Sequence, residues 1–174
     1  MENSIQHVSG SKVTLPLETQ ITLERKRISK LSKHKNTPCS CFTCQEQCHQ
    51  PCLGTPKEIL RLCKEGYKEH IKPVIWVAGI FMGVCDHKVY MFQLEPNEQN
   101  GYCSMAYKSE TGKVLCKLHN LGLKPTEGML SGHVRSITDY CPNKNNLTWL
   151  VAKTWEAEET QPIIEQIAKE LGLL

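Results

Sequence analysis

Apolar residues fall at every second position from Val13 through Leu15, Leu17, Thr19 and Ile21 to Leu23, with Thr14, Pro16, Glu18, Gln20, Thr22 and Glu24 between them. That alternation predicts a half-buried strand or pair of strands, and Pro16 places it at a sheet edge. The pattern changes at Thr55-Pro56-Lys57-Glu58, a helix start with a cap, a proline suited to the first position and an acid placed to reach back. Ile59, Leu62 and Cys63 then share one helical face, and Gly66 ends it. Strands are predicted at Ile75–Val77, Ile80–Val84 and Val89–Leu94, turning at Asp86-His87-Lys88. A hairpin follows between Cys103 and Cys116, with its turn near Glu110-Thr111-Gly112-Lys113, and Gly122 to His133 reads as a glycine-rich turn. Helical spacing returns at Leu147, Leu150, Val151 and Trp155, and again from Ile163 to Leu171, stopping at Gly172. Trp149 and Trp155 read as packing residues.

The predicted elements describe an α+β protein: a small cysteine-rich single domain with a short antiparallel sheet, a few helices and a metal-centred cysteine cluster. Residues 1–37 form an N-terminal tail, edge strand and basic connector, and residues 38–174 form the cysteine-cluster domain. With 174 residues and 40% apolar content, the chain can bury a modest core.

Ten cysteines change the picture. Cys39, Cys41, Cys44, Cys48 and Cys52 crowd into Pro38 to Pro56, where little apolar sequence exists to pack them. Met1 is followed by polar residues without an apolar leader, and the most apolar run, Val74 to Cys85, is too short to span a bilayer. A cytoplasmic location without membrane contact is therefore expected. Thiols stay reduced there, so the cluster points to metal binding ahead of disulfides.

Cys41 and Cys44 have knuckle spacing, and Cys44, Cys48 and Cys52 recur every fourth residue, although Pro51 interrupts any helix through them. Cys39 is too close to Cys41 for both to chelate comfortably. Cys116 and His119 repeat the knuckle spacing later in the chain, with Cys103 across the hairpin. His133 either closes a site or lies on a surface loop. Cys85 and His87 share a turn, a weak metal signal beside the plainer reading of a partly exposed thiol, and Cys63 reads as a small core residue.

Charge is unevenly distributed. Arg25, Lys26, Arg27, Lys30, Lys33 and Lys35 account for the basic character, because without them the formal +3 becomes −3. A nucleic acid could bind through Arg25, Lys26 and Arg27 by counterion release. A solvated connector is the preferred reading, since no aromatic residue is interleaved to stack on bases. No glycine-rich nucleotide loop, nucleophile elbow or H-E-x-x-H helix is present.

The C-x2-C-x3-C run of Cys41, Cys44 and Cys48, with Pro51-Cys52, then Cys103, Gly112 to Cys116 and Lys124-Pro125, resembles the zinc- or iron-chelating cysteine-cluster family, also called YkgJ-type or CxxCxxCC. The resemblance covers most of Pro38 to Trp155. It implies a bound metal ion, zinc or iron, with an iron–sulfur cluster as one form. Some relatives are joined to flagellin lysine methylation, and nothing in this chain resembles flagellin chemistry specifically. Two departures stand out: the family's adjacent Cys-Cys pair is spread into Cys48 and Cys52, and a cysteine expected past the basic-Pro pair appears as Gly128. His119, His133 or Cys141 is then available to complete the ligand set. The expected metal ligands are Cys41, Cys44, Cys48, Cys52, Cys103, Cys116, His119 and His133, with the N-terminal cluster meeting the 103–116 hairpin in space. Three functions follow: a metal-binding module, a metalloenzyme using the Cys/His-bound centre with Glu127 or Asp139 as acid or base, and a zinc-stabilised nucleic-acid or protein adaptor.

Overall fold

Proline and straight-chain residues decide the first element. In the computed structural model, which describes residues 15–32, 50–130 and 143–174, helix α1 runs Leu17–Ser32. The expected edge strand therefore does not form over these residues. Pro16 starts the helix, its carbonyl accepting from Gln20 N–H at 3.1 Å, and Leu, Glu, Gln, Lys and Arg are good helix formers. Of the alternating apolar residues, Ile21 is buried, whereas Leu15 and Leu23 are exposed. The buried stripe is Ile21, Ile28 and Ser32, a helical spacing.

Helix α2 covers Pro56–Leu62 and begins as the capping residues require, Glu58 accepting the Thr55 N–H at 3.0 Å. It runs into a wide turn, Cys63–Tyr67, that breaks at Gly66, where φ is +90°. Strands β1 (Ile71–Trp76) and β2 (Val89–Leu94) pair antiparallel, Ile71 opposite Leu94 and Trp76 opposite Val89. Between them Ala78–Phe81 forms a helical turn, α3, with Met82 N–H on the Ala78 carbonyl at 2.9 Å. The strand expected over Ile80–Val84 is thus replaced. Gly83, at φ +66°, lies within that stretch and turns the chain back.

A second, shorter hairpin joins β3 (Ala106–Lys108) to β4 (Val114–Cys116), with Gly112 at φ +79° in its turn. Helix α4 (Thr126–Leu130) occupies the stretch expected to be turn, and α5 (Asn143–Ala152) and α6 (Gln161–Glu170) close the chain. Helix α1 packs on α5 and α2, α2 packs on α6, and the β1–β2 hairpin packs on α2 and on the turn Lys153–Trp155. One core links these elements, with Ile28, Ile59, Leu62, Val89, Leu118, Leu147 and Ile167 almost wholly buried. The result is α+β. Ile75 and Tyr90 lie opposite each other across β1–β2 and are both exposed, Tyr90 at 70%, and Phe81 on α3 is 86% exposed. Among the described residues no helix is long and apolar enough to cross a membrane.

Candidate metal centre

The residues from Gln50 to Thr55 are pinned to the body one peptide group at a time. Gln93 donates its side-chain amide to the Pro51 carbonyl at 3.3 Å. Leu53 N–H donates to Glu127 Oε2 at 2.7 Å, and Glu127 N–H returns to the Leu53 carbonyl at 3.1 Å. The Trp155 indole N–H donates to the Gly54 carbonyl at 2.9 Å. Cys52 sits in the middle of this pinned segment.

On the other side, Cys116 ends β4 opposite Ala106, and Cys103 forms a bridge to Pro96 just before β3. The short hairpin therefore presents both cysteines at one end. Pro125 and Lys124 enter from the loop before α4. Together Gln50, Cys52, Leu94, Cys103, Ala106, Cys116, Lys124 and Pro125 enclose a cavity of about 10 Å³, room for roughly one water. Three cysteines share it, Cys52 from a segment about a third of the chain before Cys103 and Cys116. Cys103 is buried, Cys52 and Cys116 are half-buried, and no disulfide joins any of the five described cysteines to another.

Position 128 abuts this cavity. A Cβ at Gly128 would lie 2.7 Å from Cys52 Sγ and 2.7 Å from Lys124 Cε, both well inside van der Waals contact. Gly128 thus stands directly against the sulfur of Cys52.

Behind the cavity lies a carboxylate removed from water. Glu58 is 0% exposed. Its Oε2 accepts the backbone N–H of Thr55 and of Thr126, each at 3.0 Å, and its Oε1 accepts Thr126 Oγ1 at 2.8 Å and Arg25 Nε at 2.6 Å. Arg25 also donates through Nη2 to the Lys124 carbonyl at 2.6 Å. A charge this buried is tolerable only when paired and fully hydrogen-bonded, as here. Sequence inspection missed this network. Its legible trace is the acid at the third position of α2, which the capping pattern flagged for a single bond.

The remaining candidates have definite places. His119 is exposed and does not line the cavity, though its N–H bonds the Cys116 carbonyl at 3.1 Å. Cys63 is core, with its thiol pushed up to about 11 by burial and by the charge of Glu170. At the β1–β2 connection Cys85 donates to the His87 carbonyl at 3.4 Å, and both ring nitrogens of His87 meet carboxylates, Asp86 at 2.8 Å and Glu156 at 2.7 Å. His87 thereby has no ring nitrogen left for an ion. Glu127, considered above as an acid or base, spends its oxygens on Leu53 N–H and on Thr148 Oγ1 at 2.7 Å. Of the basic run, Arg25 points inward, and Arg27 borders a cleft of about 270 Å³ with Lys153, Glu156 and Glu159. Cys39, Cys41, Cys44, Cys48, His133, Asp139 and Cys141 lie outside the described residues.

Among the described residues no three His, Cys, Asp or Glu side chains are grouped closely enough to hold an ion by themselves. The donors at the cavity are thiol sulfurs, the ligand type that zinc and iron–sulfur centres take. Compared with protein-family models, with curated proteins and with solved structures, the chain matches none.

Proposed function

We propose that the chain is a metal-binding protein whose thiolates hold zinc or iron, the latter alone or as an iron–sulfur cluster. The observation that carries this reading is the shared cavity of Cys52, Cys103 and Cys116, three sulfurs delivered by separate segments to one small, partly buried space. Crowded thiolates repel unless a cation neutralises them, and a bound dication deprotonates coordinating thiols outright. Cys41, Cys44 and Cys48 precede Cys52 by a few residues and supply the further sulfurs that a tetrahedral zinc site or a four-iron cluster needs. His119, one turn beyond Cys116, and His133 are the nitrogen donors available to the set. The ion would tie the N-terminal cluster to the short hairpin, and its binding free energy, roughly 10–16 kcal/mol for structural zinc in small peptides, would dominate the stability of this region.

Protein purified without air should carry stoichiometric zinc or iron by elemental analysis, iron with acid-labile sulfide if a cluster is present. Cys52→Ser, Cys103→Ser and Cys116→Ser should each lower that content, while Cys63→Ala leaves it unchanged. Wild-type protein devoid of both metals would end this reading.

A further inference from the structure

The cleft that Arg27 borders has a volume of about 270 Å³ and shares no lining residue with the cysteine cavity. Pockets for small organic ligands begin at about 300 Å³, so its size suits a small molecule better than a macromolecular segment. Its apolar surface comes from two elements and the chain beyond them: Ile28 and Leu31 of α1, Leu150 of α5, and Ala157. Ile28 is wholly buried, whereas Leu31 is 51% exposed. The stretch after α5 is held in place by its own bonds. Thr154 donates its hydroxyl to the Val151 carbonyl at 2.7 Å, Thr160 donates to the Thr154 carbonyl at 2.9 Å, and His87 Nε2 meets Glu156 at 2.7 Å. That part of the cleft is therefore formed before any ligand arrives.

Four charged side chains line this space, the cations of Arg27 and Lys153 and the carboxylates of Glu156 and Glu159. Elsewhere Arg25, Lys57, Arg61 and Lys72 each pair with a carboxylate. Here, among the described residues, Arg27, Lys153 and Glu159 make no ion pair and no side-chain hydrogen bond, although charges of both signs border one cleft. A ligand of one sign would meet as many like charges as opposite ones. A ligand carrying both signs can satisfy each wall charge. We propose that the cleft binds a zwitterion with an apolar side chain, an amino acid or dipeptide of leucine type. Its carboxylate meets Arg27 and Lys153, its ammonium meets Glu159, and its side chain covers Leu31 and Leu150. This site is independent of the metal-binding reading.

The test is titration calorimetry on the full chain with L-leucyl-L-leucine and with L-leucine. Whichever binds more tightly sets the ligand's length. Glycylglycine, which lacks the apolar side chains, should bind at least about 10-fold more weakly than leucylleucine, since each buried methylene contributes about 0.8 kcal/mol. N-acetylation or C-terminal amidation of leucylleucine should each weaken binding about 2- to 5-fold, the range for one solvent-exposed ion pair. Lys153→Met, Arg27→Gln and Glu159→Gln should each lower affinity by a similar factor, and Lys113→Met, removing an exposed lysine from the β3–β4 turn, should match wild type. Circular dichroism checks the fold of each variant, and any one of the three suffices if another fails to fold. Wild type that binds neither leucine nor leucylleucine overturns the proposal. So do blocked peptides that bind as tightly as the free one, and so does an equal loss in Lys113→Met, which would make net charge the cause.

Discussion

Glu58 and Thr126 are joined twice, Oε2 accepting the threonine N–H at 3.0 Å and Oε1 accepting its hydroxyl at 2.8 Å, although 68 positions separate them in the chain. The same carboxylate caps α2 and pairs with Arg25 from α1. Glu58→Ala strips partners from a half-buried guanidinium and two backbone N–H groups at once. The expected loss is about 3–5 kcal/mol, the usual cost of breaking one side of a buried ion pair. Urea denaturation of the two proteins under one buffer measures it. Glu58→Gln keeps the shape and part of the hydrogen bonding, so it should fall between the two.

Gly128→Ala places a methyl group 2.7 Å from both Cys52 Sγ and Lys124 Cε. Overpacking of that kind costs about 1–3 kcal/mol. In a Cys52→Ala background the sulfur is gone and only the flexible lysine stem must yield, so the same substitution should cost clearly less. A double-mutant cycle by thermal denaturation reads the difference, and strict additivity would mean that position 128 does not touch Cys52.

Trp155→Phe removes the indole donor from the Gly54 carbonyl, a bond made at 2.9 Å between two buried groups. Leaving that carbonyl unpaired should cost about 1–3 kcal/mol. Because Gly54 lies two residues from Cys52, zinc(II) affinity should fall along with stability, whereas Tyr90→Ala, at an exposed position on the β1–β2 hairpin, should change neither appreciably.

His87 links the β1–β2 connection to the segment after Lys153–Trp155 through Glu156, with Trp149 edge-on to its ring. Its pKa is raised above the ordinary 6.5, first by the hydrogen bond to Asp86 and then by that to Glu156, while the bond to His87 lowers the pKa of Asp86 below 3.8. A raised histidine pKa contributes stability that is complete below the unfolded value and disappears as pH climbs through the folded one. A lowered carboxyl contributes above its unfolded value and loses its effect as pH falls through the folded one. The contact therefore stabilises between those two limits. Wild type should melt higher than His87→Gln at about pH 5.5, and the gap should close by about pH 9.

How much of this was readable beforehand depended on how local each cause was. The Thr55–Glu58 cap, the Gly66 stop, the strand Val89–Leu94, the Gly112 turn and the apolar face of α6 are set by residues within a few positions of one another, and all were visible in the sequence; the partner of that strand, Ile71–Trp76, was not. Leu17–Ser32 was misread because period-two alternation counts Leu15 and Leu23 as core, while the fold buries only the Ile21 and Ile28 stripe. Ile80–Val84 was misread because an apolar run looks alike in a strand and in a helical turn, and Gly79 and Gly83 favour the turn. At the site, spacing singled out Cys52, Cys103 and Cys116, but not the company they keep. Lys124, Gly128 and Glu58 enter through contacts far apart in the chain, from Arg25 to Lys124, from Cys52 to Gly128 and from Glu58 to Thr126, and no local pattern encodes those.

The Arg25–Glu58–Thr126 junction also bears on how the chain reaches its native state. Its three members belong to α1, α2 and α4, so, unlike the local bond to Thr55, the bonds from Glu58 to Arg25 and Thr126 require the chain between those helices to close first. Substitutions at Glu58 should then leave the refolding rate nearly as it was and act almost wholly by hastening unfolding, which makes this one acid a determinant of how long a folded molecule lasts.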